Sequence, residues 1–423
     1  MSGAPRPLRI AFVSPEPRPG GGVPGMAATV ALGLAEAGHQ VDLWTVPEQR
    51  LGFDWANVPG LRLHLVDSGF RWGRWYSRKQ GALQSFVANA ALLGSSAVAS
   101  PRMAREIVAA HRVEPFDVLY RFSTIELLGF GRHLHHLPPI VSHPEVHAAG
   151  ELRYTRLERH LARQCHPAPH RWGTEALLTL RARRQGRDAR RVAHLVAPSQ
   201  RFAELVAADY GLDRNRVSVV PNPVDLDRFE PGPRPEGGRI RVTYVGRAAV
   251  RKGIDQLVEL SHRLDDLADQ IELVLVCSVS LWSDYTPLLA GVNRRMTVVL
   301  PNQPHRDIAL LLQATDVLVQ PSRYEPFALT VAEGLASGCV VVASDEVGAA
   351  EGIDPRAVSV VPNGDVRALE RAVRERITAV LEGRDGPDHA VARAEAERRF
   401  DPKTVVSELA EVLARVAPAG PVR

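Results

Sequence analysis

Short apolar segments with strand character alternate with helix-like segments along nearly the whole chain, and they fall into two series. The first series comprises the predicted strands Arg9–Ser14, Gln40–Val46, Arg62–Val66, Asp117–Arg121, Ile140–Ser142 and Leu195–Ala197. The second comprises Arg241–Val245, Glu272–Cys277, Thr297–Leu300, Val317–Gln320, Val340–Ala343 and Val358–Val361. Strands separated by helical stretches form parallel sheets from βαβ units, so the sequence predicts an α/β protein with two parallel sheets. The Pro- and Gly-rich run Pro231–Gly238 between the two series predicts a linker.

The composition is that of an ordinary globular protein. The 423 residues suffice for two to three domains, and 45% of them are apolar while 24% are charged, which argues against wholesale disorder. The three cysteines are odd in number and widely spaced, which favours a reducing compartment over a disulfide framework or a cysteine-based metal site. The opening has only the short apolar run Ile10–Val13, and Phe86–Ala99, the most apolar window, is interrupted by polar residues. These features predict a cytoplasmic protein.

The basic residues are almost all arginine. The net charge is +4, and lysine occurs only at positions 79, 252 and 403. This bias reflects base composition more than a nucleic-acid function, so no nucleic acid is predicted as a partner. Arginine is dense across Arg153–Arg191, and we expect that region to be either a solvated helical face or a surface for peripheral contact with anionic lipid or an acidic acceptor.

Two glutamates lie eight positions apart in the segment PSRYEPFALTVAEGLASG. Glu325 falls in a loop after the predicted strand Val317–Gln320, and Glu333 lies about two turns into a predicted helix that begins at Phe327 or Ala328. Both carboxylates can face the crevice where open α/β sheets bind ligands, and the helix N-terminus between them favours a phosphate or sugar oxygen. The alternative for an isolated Glu333 is an exposed helix residue.

A second signal follows the first strand of the second series, in VTYVGRAAVRKG. Arg247 comes directly after Gly246, and Lys252 precedes Gly253. Two cations at the carboxyl end of a strand are placed to hold a diphosphate and to stabilise charge on a departing nucleotide. The alternative is a basic pair on the surface.

Together these motifs resemble the nucleotide-sugar site of retaining GT-B glycosyltransferases of family 4. The segment DVLVQPSRYEPFALTVAEGLASGCVVVAS is similar to their P-S-x-x-E-x-F-G-L run with a second Glu eight residues later, and GRAAVRKG is similar to their G-R-x-x-x-x-K-G run. Ala328 stands where the family usually has Gly, and Pro326 stands where Gly is common. The resemblance implies donor contacts at Pro326, Phe327, Ala328 and Leu329.

The resemblance implies a GT-B fold, in which two Rossmann-like parallel-sheet domains face a cleft. We expect an acceptor-binding domain over 1–220, a donor-binding domain over 221–400, and a terminal helix within 401–423 that packs back on the first domain. In the family, the Arg and Lys hold the donor pyrophosphate, here Arg247 and Lys252. The first Glu, Glu325, meets sugar hydroxyls, and the second, Glu333, meets the ribose.

The glycines near the amino terminus permit two interpretations. Gly20, Gly22 and Gly25 fit the dinucleotide pattern G-x-G-x-x-G, which is the basis of an alternative NAD(P)-dependent Rossmann enzyme. Three prolines separate the first strand from the first Gly, however, and no acidic residue clearly ends the second strand. The resemblance instead implies that Gly21 and Gly22 form a loop over the donor phosphates and the acceptor.

No metal or cofactor is predicted. Asp225 and Asp227 have the D-x-D spacing of a metal motif in another glycosyltransferase fold. Their string PNPVDLDRFEP instead resembles a structural loop of GT-B enzymes, and Arg247 and Lys252 supply the positive charge that a metal would otherwise provide.

The acceptor side has fewer signals. His143 and His147 follow a strand end in PPIVSHPEVHAAGE, where the family often has a His that contacts the donor sugar. The usual spacing from Pro139 falls on Glu145, midway between them, so the sequence does not choose between the two histidines as the catalytic residue, with Glu325 the third candidate.

The predicted activity is metal-independent transfer of a sugar from a nucleotide-diphosphate-sugar to an acceptor, with retention of anomeric configuration. The resemblance implies a front-face displacement in which the leaving phosphate assists as base. The acceptor class stays open between a small aglycone, a polysaccharide and a lipid. Alternatives are a non-catalytic nucleotide-sugar-binding protein and, within the same fold, an epimerase or a phosphorylase.

Overall fold

The computed structural model describes residues 6–18, 20–47, 55–67, 82–232, 238–279 and 284–418. The chain divides into two compact units. Unit 1 contains Met1–Ala149, Leu178–Pro223 and Pro402–Arg423, and unit 2 contains Gly150–Leu177 and Val224–Asp401. Each unit is built around its own parallel sheet.

The sheet of unit 1 has seven strands among the described residues, in the order β3-β2-β1-β4-β5-β6-β7. Every pairing is parallel. The strands are β1 (Arg9–Val13), β2 (Gln40–Thr45), β3 (Leu61–Leu65), β4 (Val118–Phe122), β5 (Ile140–His143), β6 (His194–Ala197) and β7 (Val217–Val219). The central strands β1 and β4 are buried at every position, as expected for a parallel sheet covered on both faces.

Helices connect these strands along the chain, although residues 150–177 of these helices group with unit 2. They are α1 (Gly22–Glu36), α2 (Ala82–Val113), α3 (Ala148–Leu157), α4 (Arg159–Cys165), α5 (Ala168–Ala189) and α6 (Gln200–Tyr210). The last helix of the chain, α12 (Pro402–Val416), also belongs to unit 1 and packs on α1. A Cβ on Gly33 would lie 2.7 Å from Val406 Cγ2, so this close approach of the two helices requires glycine.

The sheet of unit 2 has six described strands, in the order β10-β9-β8-β11-β12-β13, again with parallel pairings. The strands are β8 (Ile240–Ala248), β9 (Ile271–Val279), β10 (Thr297–Leu300), β11 (Val317–Gln320), β12 (Val340–Ser344) and β13 (Val358–Val361). The helices are α7 (Ile254–Arg263), α8 (His305–Gln313), α9 (Leu329–Ala336), α10 (Val366–Leu381) and α11 (Gly386–Phe400).

The two sheets have equivalent strand orders. Numbered from its first strand, each sheet contains the Rossmann order 3-2-1-4-5-6, which reverses between β1 and β4 in unit 1 and between β8 and β11 in unit 2. The predicted α/β class with two Rossmann-like parallel-sheet domains is therefore confirmed. Open α/β sheets bind ligands beyond the carboxyl ends of the strands at such a reversal, which marks where to look in each unit.

The predicted elements agree closely with the observed ones, with a few differences. The predictions omitted β7 and ended β8 at Val245 instead of Ala248. Most of the predicted linker, residues 233–237, lies outside the described residues, as do residues 419–423 of the predicted terminal helix. Among the described helices, none combines the length and apolar character needed to cross a bilayer.

The boundary between the units differs from the expected division at residue 220. Residues 150–177, which the expected first domain includes, group with unit 2. The physical reason is packing, since Leu161 and Ala162 lie in the apolar core of unit 2 and Glu158 pairs with Arg323. Periodicity within α3 and α4 does not show which sheet a helix will cover.

Candidate functional site

Three charged side chains meet at the strand-order reversal of unit 2. Lys252 follows β8, Glu325 follows β11, and the Lys252 ammonium donates a hydrogen bond to Glu325 Oε2. Arg251 Nη1 donates to the same oxygen at 3.3 Å. All three side chains are largely buried. We call Arg247, Arg251, Lys252 and Glu325 the cation cluster.

The two loops that carry this cluster are bonded directly to each other. The carbonyl oxygen of Arg251 accepts hydrogen bonds from the backbone N–H groups of Arg323, at 2.7 Å, and Tyr324, at 3.2 Å. Gly253 has φ of 72°, and a Cβ there would lie 2.1 Å from the carbonyl oxygen of Pro321. Glycine is thus required after Lys252 for both conformation and space, which explains its place in the motif.

Burial strongly affects the electrostatics of Lys252. Removal from water lowers the pKa of Lys252 well below its ordinary value, and the positive charges of Arg251 and Arg247 act in the same direction. Contact with an anion is what stabilises the ammonium form here, and Glu325 supplies that anion. A phosphate group has the charge needed to take the same role. Arg247 itself is exposed, at the end of β8.

A second layer of ion pairs supports the cluster. Arg323 binds Asp255 of α7 through two hydrogen bonds of 2.6 and 2.7 Å, and its Nε lies 3.0 Å from Glu158. Arg251 Nε lies 3.8 Å from Glu151 of α3. Helix α3 and the residue before α4 therefore contribute carboxylates that hold both loops of the cation cluster.

Glu333 lies on α9 with partners of its own. It is 7% exposed, and its Oε1 lies 2.9 Å from His305 Nε2. Arg228 Nη1 donates to His305 Nδ1 at 3.0 Å, which leaves the ring proton on Nε2 to be donated to Glu333. The alternative of an exposed helix residue therefore does not apply to Glu333. Its carboxylate is buried and contacts His305, which is in turn hydrogen-bonded to Arg228.

The segment Pro326–Leu329 leads into α9. The Phe327 ring is buried against Phe400, with centroids 5.4 Å apart, while the Phe327 carbonyl oxygen accepts from the Ala349 N–H at 2.7 Å. The Phe327 side chain therefore belongs to the apolar core of unit 2. Ala328 is the residue before the helix and adopts φ of 77° and ψ of 79°, a left-handed conformation that favours the glycine usual in the family.

In unit 1, the predicted glycine loop forms the start of α1. Gly21 is the residue before the helix, and Gly22 begins it with φ of 71°. A Cβ on Gly25 would lie 1.7 Å from the Gly20 carbonyl oxygen, so the loop folds tightly on the first helical turn. Because β1 ends at Val13 and α1 begins only at Gly22, the glycines do not form the tight strand-to-helix turn of the dinucleotide fingerprint.

His143 ends β5 and is buried, with 2% of its surface exposed. Its Nδ1 hydrogen-bonds the Tyr120 hydroxyl at 2.7 Å, whereas its Nε2 is a buried atom with no hydrogen-bond partner. Burial lowers the pKa of His143 to about 3, so the ring is neutral at physiological pH.

Glu145, where the family spacing from Pro139 falls, faces His143. Its Oε1 lies 3.9 Å from His143 Nε2 and has no hydrogen-bond partner, while its Oε2 accepts from Asn222 Nδ2 at 2.7 Å. Burial raises the pKa of Glu145 to about 7, and the bond from Asn222 offsets only part of this shift. We call His143 and Glu145 the strand-end pair.

His147 occupies a different environment. The ring is fully buried, its Nε2 lies 2.7 Å from Asp209 Oδ2, and the rings of Phe202 and Tyr210 pack against it edge-on. These contacts are typical of a histidine in the protein core that is hydrogen-bonded to a carboxylate, here Asp209. Of the two predicted histidines, His143 is the one with an unpartnered nitrogen at a strand end.

The remaining predicted features have structural partners. Asp225 accepts from the Arg228 N–H at 3.0 Å and so shapes its own loop. Within the described residues, no group of three or more His, Cys, Asp and Glu side chains is arranged to hold a metal ion. In the arginine-dense region, Arg156 and Arg159 both bind Glu175. Leu157 and Trp172 in the same region are exposed, Trp172 by 70%. Contact of this region with lipid remains a prediction.

Comparison with known proteins places these observations in a family. The family model described as Glycosyltransferase Family 4 matches residues 20–228, and the model described as Glycosyl transferases group 1 matches residues 227–390. The second match contains the whole cation cluster and Glu333. The chain belongs to the GT-B glycosyltransferases.

Individual relatives agree with this assignment. The D-inositol 3-phosphate glycosyltransferase of Geodermatophilus obscurus is 34% identical over 227 residues, which cover 48% of this chain and 46% of the relative. This GT-B glycosyltransferase thus spans about half the length of the relatives it matches.

Among solved structures, the sucrose-phosphate synthase of Thermosynechococcus elongatus has a TM-score of 0.70 at 18% identity, covering 97% of this chain and 99% of that one. An Anabaena protein in complex with UDP and glucose has a TM-score of 0.65 at 16% identity, covering 96% and 100%. At these identities the similarity shows the shared fold.

In this GT-B glycosyltransferase, the structure brings Arg247, Lys252 and Glu325 together and places Glu333 on the helix that follows. Sequence reasoning did not identify Arg251, His305 or Asn222 as site residues. Arg251 directly precedes the motif residue Lys252, and a search that included every cation near a strand end would have identified it. Nothing local marks His305 or Asn222, because their partners lie 28 and 77 residues away.

Proposed function

We propose that this chain transfers a sugar from a nucleotide-diphosphate-sugar to an acceptor hydroxyl, with retention of anomeric configuration and without a metal ion. The observation that carries the proposal is the cation cluster at the strand-order reversal of unit 2. The cations of this cluster lie where open α/β sheets bind ligands, and such groups form charge-assisted hydrogen bonds with the oxygens of a diphosphate.

Lys252 and Arg247 are the residues that neutralise the leaving group. The bond between the sugar C1 and the diphosphate oxygen breaks as the acceptor oxygen bonds C1 from the same face. The phosphate oxygen takes the acceptor proton, and a nucleoside diphosphate leaves. Negative charge increases on the phosphate during this step, so fixed cations in a buried site stabilise the transition state more than the ground state.

The two glutamates hold the uncharged parts of the donor. Glu333 is buried and oriented by His305, and a carboxylate of this kind accepts hydrogen bonds from a pair of ribose hydroxyls. Glu325 is held by two cations beside the diphosphate position and is placed to accept from hydroxyls of the transferred sugar. The Anabaena neighbour that holds UDP and glucose and the relative named as a glycosyltransferase support a nucleotide-sugar donor.

The alternative is a protein that binds nucleotide sugars without catalysis. Both functions predict binding, so turnover separates them. The purified chain is incubated with UDP-glucose, UDP-N-acetylglucosamine, GDP-mannose and ADP-glucose in excess EDTA, with and without acceptor alcohols, and nucleotide release is measured. We expect release from one donor, with the anomeric proton of the product showing the donor's configuration by NMR. Tight binding without release from any donor would favour the alternative, and an inverted product would contradict retention.

A further inference from the structure

Two buried polar atoms of unit 1 face each other across a gap. His143 Nε2 and Glu145 Oε1 are 3.9 Å apart, and each lacks a hydrogen-bond partner among the described residues. Buried polar atoms are nearly always hydrogen-bonded, because an unpaired one carries a desolvation penalty. The distance is too long for a direct hydrogen bond but suits one intervening oxygen about 2.8 Å from both atoms.

Both sides of this gap are held in place. Tyr120 fixes the ring of His143 through Nδ1, and Asn222 fixes the carboxyl group of Glu145 through Oε2. The side chains of His143 and Glu145 are 3% and 12% exposed. Asn222 Oδ1 is a further buried atom without a partner. The two unpartnered atoms are therefore held in place by hydrogen bonds, and Asn222, which binds Glu145, carries a further unpartnered acceptor.

We propose that the gap between His143 Nε2 and Glu145 Oε1 binds one hydroxyl group of a sugar or polyol, so that Glu145 is a specificity-determining residue of unit 1. This inference rests on the proposed function for the identity of its ligand. Glu145 takes part although the family pattern has a histidine in this region, and nothing in that pattern assigns a carboxylate here.

The choice of a hydroxyl follows from proton arrangement. If Tyr120 donates to Nδ1, then Nε2 carries the ring proton and donates to the ligand oxygen, while the ligand O–H donates to ionised Glu145. If Nδ1–H donates to Tyr120, then Nε2 accepts from the ligand O–H, and protonated Glu145 donates to the ligand oxygen. A hydroxyl fits both arrangements because it donates and accepts. An ammonium group only donates, and a carbonyl group only accepts.

The test uses Glu145→Gln, with Glu126→Gln as a matched control. Glu126 is also a buried carboxylate of unit 1, but both of its oxygens have partners, in Arg181 and Thr124. KM and kcat are measured for the donor that wild type turns over, for its acceptor, and for the monodeoxy analogues of both. At pH 8, where Glu145 is ionised, we expect Glu145→Gln to raise KM for one ligand roughly tenfold, because a neutral amide replaces a charged acceptor, and Glu126→Gln to change it less than twofold.

The deoxy analogues identify the hydroxyl. One analogue should show the same KM with wild type and with Glu145→Gln, because it lacks the group that Glu145 contacts. If that analogue is a deoxy donor, the hydroxyl belongs to the transferred sugar; if it is a deoxy acceptor, the hydroxyl belongs to the acceptor. Unchanged KM for every ligand, or an equal ratio for all analogues, would overturn the proposal and leave the gap as the site of a structural water only.

Failure of the proposed function has a different signature, since wild type would then neither bind nor turn over any nucleotide sugar. In that case, calorimetric titration of wild type and Glu145→Gln with glucose and myo-inositol decides the inference without turnover. Weaker binding by the variant supports the hydroxyl site. The same response from both proteins, or none from wild type, contradicts it.

Discussion

Buried ionisable groups keep their charge in the cation cluster of unit 2 but largely lose it in the strand-end pair of unit 1. Lys252 is buried but contacts Glu325, so charge is retained through pairing. His143 is buried with a pKa lowered to about 3, and Glu145 has a pKa raised to about 7, so charge is suppressed by burial. The same loss of water therefore produces an ionic site in one unit and a nearly neutral one in the other.

The difference in charge indicates which kind of ligand each region can bind. Paired charges can exchange one anion for another, so the cation cluster suits a diphosphate that competes with Glu325 for Lys252. A neutral histidine beside a carboxyl group near its pKa suits a group that both donates and accepts a hydrogen bond. Variants of both regions test this contrast, and they are described from the largest expected effect to the smallest.

Replacing Lys252 with Ala should have the largest effect. The transition state would lose one buried, charge-assisted contact to the leaving phosphate, which corresponds to about 2–4 kcal/mol or roughly 30- to 1000-fold in turnover. Arg247→Ala should fall in the same range. Arg295→Ala is the control, because Arg295 is an exposed cation of unit 2 that pairs with Asp265. Turnover within threefold of wild type for both Lys252→Ala and Arg247→Ala would show that the cation cluster does not take part in the reaction.

The two glutamates should separate nucleotide binding from sugar handling. Glu333→Ala removes a buried acceptor for ribose hydroxyls and should weaken binding of the free nucleoside diphosphate by about 1.5–3 kcal/mol. Glu325→Ala should leave that binding nearly intact, or tighten it, because Lys252 and Arg251 no longer share their charge with a carboxylate. Its turnover should nevertheless fall. Calorimetric titration alongside rate measurements tests this division, and equal weakening by both variants would show that it is wrong.

Glu145 and Glu126 should respond differently to a change from pH 5 to pH 8 when each is changed to Gln. The pKa of Glu145 rises from 4.5 to about 7 on folding, so the folded state binds the proton more tightly and this contribution to stability is lost as pH rises from about 4.5 to 7. Glu145→Gln should therefore gain on the order of 2 kcal/mol relative to wild type at pH 8 compared with pH 5.

Glu126 provides the opposite case. Burial tends to raise its pKa, but Arg181 and Thr124 outweigh this and the net pKa is lowered. Its ionised form therefore stabilises the fold at both pH 5 and pH 8, because this contribution is lost only as pH falls below the ordinary value of 4.5. Glu126→Gln should destabilise the protein by about 1–3 kcal/mol at both pH values. Differential scanning calorimetry at pH 5 and pH 8 measures both. A parallel pH response of the two variants would contradict the contrast between suppressed and paired charge.

The smallest effect concerns the helix entry beside Glu325. Ala328 has φ of 77°, where a non-glycine residue is strained by about 1–2 kcal/mol, so Ala328→Gly should keep or raise Tm despite the added freedom of the unfolded chain. Ala336→Gly, near the end of the same helix, lacks that relief and should lower stability by about 1 kcal/mol. Equal destabilisation by the two variants would show that the backbone of Ala328 is not strained.

The site in unit 2 was largely predictable from sequence because its chemistry lies in short motifs at strand ends. Arg247 lies at the end of β8, and Lys252 and Glu325 follow β8 and β11 by a few residues, so local pattern predicted both the strands and the side chains. What local pattern could not show was the pairing of Lys252 with Glu325, since that depends on β8 and β11 being neighbours. It also missed Arg228 and His305, which orient Glu333 from other loops.

The site in unit 1 was less predictable because its partners are distant in sequence. The strand that ends at His143 was predicted, but the choice between His143 and His147 depends on Asp209, and the role of Glu145 depends on Asn222. Burial decides both cases, and a single sequence does not state the burial of a histidine. The assignment of residues 150–177 to unit 2 escaped prediction for the same reason, since amphipathic helices do not specify which core they cover.

The central claim is that the cation cluster of unit 2 replaces a metal ion in holding a nucleotide diphosphate. Calorimetric titration of wild type and Lys252→Ala with UDP, GDP and ADP in excess EDTA tests it most directly. The account predicts that one of these diphosphates binds wild type without metal, and that Lys252→Ala weakens this binding at least tenfold. Binding that is lost in EDTA and restored by Mn²⁺, with Lys252→Ala behaving as wild type, would contradict it.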